Sequence, residues 1–210
     1  MKNKIMITLV AAVLWTSVSF ASPVVDVQQG EVVAGYNYSR LSVDGTYEGT
    51  TYDVGRAGMS NFYAQTGIRK NWMLAVEHSS ASPHWTDGID TFSLRYKSLD
   101  VTLQYDVAKN IRFIVGNRYY DISGTFNDES VSEKVNKFIY GIAAKTKLGQ
   151  DMEGYAKFIK TSYETEYKAG VVYNFSKQSF LDVNYSHHKY DYLDATVNTK
   201  GFGAGLGFRF

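Results

Sequence analysis

Glu77-His78-Ser79-Ser80 sets an imidazole two residues before a hydroxyl. Alternate residues of an extended chain share a face, so His78 and Ser80 project together. A general base beside a nucleophile is the arrangement used for acyl transfer. Glu77 projects the opposite way, and no acidic residue is securely placed to orient the imidazole. His84, Asp87 and Asp90 form a second acid–base set in a segment whose Asp and Gly content reads as a turn. His187-His188 offers two imidazoles, but strand neighbours point to opposite faces and do not share a metal ion. Cysteine is absent, which removes thiolate ligands, thiol nucleophiles and disulfides together. No metal or other cofactor is expected.

A larger set of charges recurs at alternate positions: Glu77, Asp100, Asp106, Arg112, Arg118, Lys145, Lys147, Glu166, Lys168, Asp182 and Arg209. The neighbours one residue away are mostly apolar or aromatic, as in Tyr167, Ala169, Val171, Tyr173 and Phe175 against Lys168, Gly170, Val172 and Asn174. The last ten residues carry the cleanest case. Phe202, Ala204, Leu206, Phe208 and Phe210 share one face, and Gly201, Gly203, Gly205, Gly207 and Arg209 the other. Glycines at this density weaken an ordinary soluble strand. A transmembrane β-strand accounts for them, with an aromatic face toward lipid and small or polar residues toward a crowded lumen.

The same alternation recurs along the chain. Val32, Ala34, Tyr36 and Tyr38 face outward, then Phe62, Ala64 and Ile68, then Trp72, Leu74 and Val76. Further on come Phe113, Val115 and Tyr119, then Phe138, Tyr140 and Ile142, and later Leu181, Val183 and Tyr185. Tight turns are expected at Lys70-Asn71, Ala108-Lys109-Asn110, Leu148 to Asp151 and Ser176 to Gln178. Long outer loops are expected at Ser42 to Gly58, Ser80 to Asp90 and Gly124 to Glu133, with a short one around Tyr163-Glu164 and another at Asp191 to Thr196. One segment departs from the rule: Phe92, Leu94 and Tyr96 have even parity, whereas Leu99, Val101, Leu103 and Tyr105 have odd parity. Either a β-bulge lies near Lys97-Ser98, or the upper half of this strand projects beyond the membrane. The second is preferred.

The count predicts an all-β fold: a transmembrane antiparallel up-and-down β-barrel of ten strands, or eight if the Met152–Phe175 hairpin does not form. Seventeen Tyr, twelve Phe and only two Pro favour strands. After the first residues no apolar run reaches the length of a membrane helix, and a closed barrel is the other way to satisfy every backbone group in lipid. Residues 1–21 read as a signal peptide, with Lys2 and Lys4, an apolar stretch from Ile5 to Val18, and Ser19-Phe20-Ala21 before cleavage. Its removal takes the formal net charge from +1 to −1, which points to no nucleic-acid partner. Residues 22–30 read as a periplasmic lead-in, and residues 31–210 as the barrel.

Gly203 to Phe210 resembles the closing strand of bacterial outer-membrane barrels, where a terminal aromatic with a second one two residues earlier, here Phe210 and Phe208, serves as an assembly signal. Ser22-Pro23-Val24-Val25-Asp26 with Gln29-Gly30, Gln104-Tyr105-Asp106 with Lys109-Asn110, and Gly170-Val171-Val172-Tyr173 resemble small barrel proteins of diderm Firmicutes. The resemblance implies an outer-membrane barrel of the OmpA/OmpX type, a bacterial outer-membrane location, and outer-membrane lipid and the barrel-assembly machinery as partners. It brings no activity and no named surface ligand. The His78/Ser80 spacing also resembles lipid A deacylases, although Ala81-Ser82 stands where that family has Asn-Ala. His84, Asp87 and Asp90 resemble an omptin-like protease set, on strands shorter than that family uses.

The expected protein is a monomer with a structural or surface-interaction role. Its inward charges of both signs either fill a narrow lumen as paired groups or line a small pore for solutes. Ten strands lie close to the eight at which side chains fill the interior, which favours the filled lumen. Deleting Phe210 is expected to lower barrel assembly in cells while leaving refolding into detergent near the parent level. Equal assembly of the parent and truncated chains, measured by heat-modifiable migration of outer-membrane extracts, would remove Phe210 as a recognition element.

Overall fold

The computed structural model describes residues 22–47, 49–82, 84–86, 91–126, 129–192 and 195–210. The expected leader and Asp87 and Asp90 lie outside these residues. The strands are β1 Val32–Tyr47, β2 Thr50–Arg69, β3 Trp72–Ala81, β4 His84–Thr86, β5 Thr91–Ala108, β6 Ile111–Phe126, β7 Glu129–Lys147, β8 Met152–Lys160, β9 Glu164–Asn174, β10 Ser179–Tyr192 and β11 Ala195–Arg209. Consecutive strands pair antiparallel, except that β3 pairs with β5 rather than with the short β4, and β11 returns to pair with β1 from Val33↔Arg209 to Tyr47↔Ala195. The short β4 continues the line of β3 along β5. The result is a closed up-and-down barrel of ten staves, and the Met152–Phe175 hairpin is formed by β8 and β9.

The backbone accounts for the closure. Phe210 N–H donates to Val32 C=O at 2.8 Å, and Val32 N–H to Phe210 C=O at 3.1 Å, so the last residue is tied to the first strand. Asn71 takes a positive φ of 66° in the Lys70-Asn71 turn, a conformation that asparagine tolerates better than most residues.

The expected outer loops are largely strand. β1 and β2 run through Ser42 to Gly58 apart from a short turn, β6 and β7 cover most of Gly124 to Glu133, and β10 and β11 take in much of Asp191 to Thr196. Backbone pairing needs no lipid, so the ladder continues in water although the apolar outer face stops. The pattern in fact inverts. In the lower barrel Phe62, Leu99, Tyr119 and Phe202 face outward. Higher up, on β1, β2, β5 and β11, Leu41, Met59, Tyr96 and Val197 are buried inside, while Arg40, Arg95, Lys97 and Lys200 are exposed. The parity change in β5 is this inversion. The register runs unbroken from Tyr105 to Tyr96, with no bulge near Lys97-Ser98. The nearest irregularity on β5 lies between Asp106 and Ala108.

Two inward glycines at the β1–β11 seam make room for rings. A Cβ on Gly207 would sit 2.1 Å from the ring of Phe180, which is wholly buried. One on Gly35 would sit 2.4 Å from the Tyr63 hydroxyl. Rings from adjacent strands thus lie across bare backbone, and large side chains fit inside a narrow barrel. Gly207→Ala is therefore expected to cost about 1–3 kcal/mol through overpacking. In a Phe180→Ala background the same change should cost much less, a coupling readable as a double-mutant cycle of urea unfolding. Additive costs would show that the ring does not occupy this site.

Candidate functional site

The lumen is where the charged residues meet, because alternation along each strand directs them there. Arg118 on β6 is fully buried and reaches two walls at once. Its Nε and Nη2 donate to Asp100 Oδ1 and Oδ2, each at 2.9 Å, across the β5–β6 ladder. Its Nη1 donates to Glu164 Oε2 at 3.0 Å and to Glu166 Oε1 on β9. Nη2 also reaches Glu166 Oε2 at 3.3 Å. Tyr120 adds a hydroxyl donor to Glu164 Oε2 at 2.7 Å. A planar guanidinium with five donors suits such a role better than a lysine does.

A second network lies around Asp182 on β10. It takes Tyr155 OH at 2.8 Å, Asn184 Nδ2 at 2.8 Å and Asn37 Nδ2 at 3.4 Å, and stands 3.7 Å from Lys168 Nζ. Glu77 on β3 lies 3.6 Å from Lys157 Nζ on β8. Toward the end where the termini lie, Arg112 forks onto Asp106 with Nε at 2.7 Å. Arg209 meets Glu31 at 3.6 Å and donates to Asn174 at 3.0 Å. Lys145 reaches Asp26. Lys147 is exposed at the strand end and takes no part in the lumen.

Residues 22–30, read from sequence as a lead-in, are more than that. Gln29 bridges to Gly67 on β2, and the chain before it runs into the barrel. Ser22 to Val25 are buried. Val24 and Val25 pack into the apolar cluster that holds Val33, Tyr63, Ile139, Tyr155, Ile159 and Phe180. Their backbone is held by inward side chains: Gln65 Nε2 donates to Pro23 C=O at 3.3 Å, and Arg112 Nη2 to Val25 C=O at 3.1 Å. The signal was Val24, Val25 and Val27 in a short segment before the first strand. Glu164 was missed because the tight β8–β9 connection made it look like a turn residue. Lys157 and Lys160 lie on opposite faces of β8, which blurs the alternation there. Lys157 points inward, while Lys160 donates to Thr165 at 2.8 Å.

Glu164, Glu166 and His188 bring two carboxylate oxygens and an imidazole nitrogen within 4.8 Å of one another. The donor types suit zinc, but Arg118 already lies on both carboxylates, so the group has its cation. His187 projects the other way, against the Tyr167 ring at 6.3 Å. His78 and Ser80 face outward at the level where the barrel leaves its apolar belt. The cross-strand neighbours of His78 are Phe62 and Leu99, and those of Ser80 are Ser60 and Lys97. None is a carboxylate. Phe208 and Phe210 lie exposed on the outer face.

A closed antiparallel barrel with an apolar belt outside and paired charges inside is the fold of an outer-membrane β-barrel. Solved structures agree on the fold. The translocator domain of the autotransporter NalP from Neisseria meningitidis aligns over 100% of this chain and 96% of its own, with a TM-score of 0.56 and 11% identity. The outer membrane protease OmpT from Escherichia coli aligns over 89% of this chain and 99% of its own, with a TM-score of 0.53 and 11% identity. No protein-family model matches the chain, and no curated protein does.

Arg118→Ala is expected to leave Asp100, Glu164 and Glu166 without their shared cation, at a cost of about 3–5 kcal/mol. Arg118→Lys, which keeps the charge and loses the fork, should fall between this variant and the parent. The measurement is urea unfolding of the refolded barrel. A change below about 1 kcal/mol, the range of solvated surface pairs, would mean that the cluster is open to water.

Proposed function

We propose that this chain is an integral outer-membrane barrel with a closed lumen, whose role is structural or surface-interacting rather than catalytic or solute-conducting. One observation carries the closed lumen: residues 22–25 are buried in the barrel interior, where Glu77, Lys157, Gln65 and Arg112 hold them from several walls. The strand lengths support a surface role. About 9–11 residues suffice to cross a bilayer in a tilted strand. β2 has 20 residues, β7 has 19 and β5 has 18, so the sheet stands well clear of the lipid at the end away from the termini. Exposed cations there, among them Arg40, Arg56, Lys97, Lys134, Lys189 and Lys200, face outward where anionic headgroups would meet them. Among the described residues, no cross-strand neighbour of His78 or Ser80 is a carboxylate, which supports a non-catalytic reading of that pair.

A small porin is the competing reading, favoured by the number of charges that line the interior. The parent barrel in a planar bilayer is expected to show no steady conductance. Deleting residues 22–28 should give small, resolvable channels while heat-modifiable migration is retained. A parent that conducts steadily with charge selectivity would be a small porin, and the closed-lumen proposal would fall.

A further inference from the structure

Ser22 is the deepest residue of the segment that fills the lumen, and its surroundings are built for a charge. It is 1% exposed. Its backbone nitrogen stands 3.3 Å from Glu77 Oε2, and its hydroxyl donates to Glu77 Oε1. Lys157 Nζ donates to its carbonyl at 3.2 Å and lies 3.3 Å from its Oγ. Glu77 is itself 1% exposed. Its cross-strand partner on β5 is Asp100, which holds Arg118. Glu77 stands 3.6 Å from Lys157 Nζ, and a positive charge at the Ser22 nitrogen would be stabilised directly by the carboxylate that this nitrogen already faces.

We propose that removal of the leader after Ala21 supplies that charge: the new α-ammonium of Ser22 binds Glu77 and locks the segment inside the lumen. Hydrolysis of the Ala21–Ser22 peptide bond consumes one water. The C–N bond breaks, the water oxygen becomes part of the Ala21 carboxylate, and Ser22 leaves with an amine that is protonated at neutral pH. One amide donor becomes three donors and a full charge, at the nitrogen already facing Glu77. Cleavage thus creates the cation at the site of its partner, which makes processing the step that locks the segment in place. This rests on the closed-lumen reading, but its test is separate.

The protein is exported as the full precursor and purified from outer membranes, and its first residue is read by mass spectrometry. Periodate then probes the terminus, because it cleaves the Cα–Cβ bond of an amino-terminal serine with a free amine. The folded parent is expected to start at Ser22 and to react on the order of 100-fold more slowly than the urea-unfolded chain, as for a site reached only by local opening. Glu77→Gln should restore most of the unfolded rate. Two glycines inserted between Ala21 and Ser22 leave Glu77 intact and displace the ammonium. This variant should unfold at a lower urea concentration than the parent, and it provides the test if Glu77→Gln does not fold. A different first residue, rapid oxidation in the folded parent, equal protection in Glu77→Gln, or an unchanged midpoint in the glycine variant would each overturn the proposal. A conducting parent with a protected Ser22 would instead remove the closed lumen and leave the lock in place.

Discussion

Everything in this barrel follows from the need to satisfy each backbone amide and carbonyl inside a bilayer. An open sheet would leave two unpaired edges in lipid, at several kcal/mol for each orphaned group. The β1–β11 ladder removes both edges and continues to the last residue through the paired hydrogen bonds of Val32 and Phe210. Closure then fixes the rest. Side chains of one parity must meet lipid, and those of the other parity must share an interior that ten strands keep narrow. Charges inside so small a space have little water to solvate them, so they must find each other. The Arg118 cluster is the outcome: one guanidinium satisfies carboxylates on β5 and β9 and ties together strands that are not neighbours.

The narrow interior also explains the glycines. Phe180, Tyr63 and Tyr155 are large and almost wholly buried. They fit because Gly207, Gly35 and Gly170 present no side chain beneath them. Packing and polarity then cooperate. The Tyr155 ring that lies over Gly170 also presents its hydroxyl to Asp182, and the Phe180 ring over Gly207 stacks under Arg209 at 5.0 Å. The glycine-rich strand lends its space to the polar network.

The lower barrel was legible in the sequence because lipid imposes a rule on every second residue. Phe202, Leu206 and Phe208 could only be an outer face, and Asp182 and Arg118 only an inner one. Above the lipid that rule lapses, and Ser42 to Gly58 looked like a loop because its apolar residues had moved indoors. Leu41, Val43, Ala57 and Met59 are buried inside the upper barrel, as they would be in a soluble protein. A parity rule tuned to membranes reads such a segment as noise, and in β5 the change from Leu99 to Tyr96 marks where lipid gives way to water. Partners across the lumen were less legible. Parity says that Glu166 points inward but not which wall it meets. Pairing Glu164 with Arg118 needed the short β8–β9 connection, which brings the top of that hairpin down to the level of the cluster.

The filling segment could not be found by alternation, since it belongs to no strand, yet its position is coupled to closure. It leads directly into β1, the strand that completes the ring. Glu31, at the joint, accepts from the Gln28 N–H at 2.7 Å and faces Arg209 of β11. Gly30 N–H donates to Gly67 C=O of β2 at 2.8 Å. The joint therefore contacts both neighbours of β1, and forming the seam places the preceding residues at the mouth of the lumen. A short tether keeps the entropic cost of entry low, and burial of Val24 and Val25 against Val33 and Ile139 supplies an apolar gain. The strand that removes the last open edge also brings Val24 and Val25 into the apolar cluster of the interior it encloses.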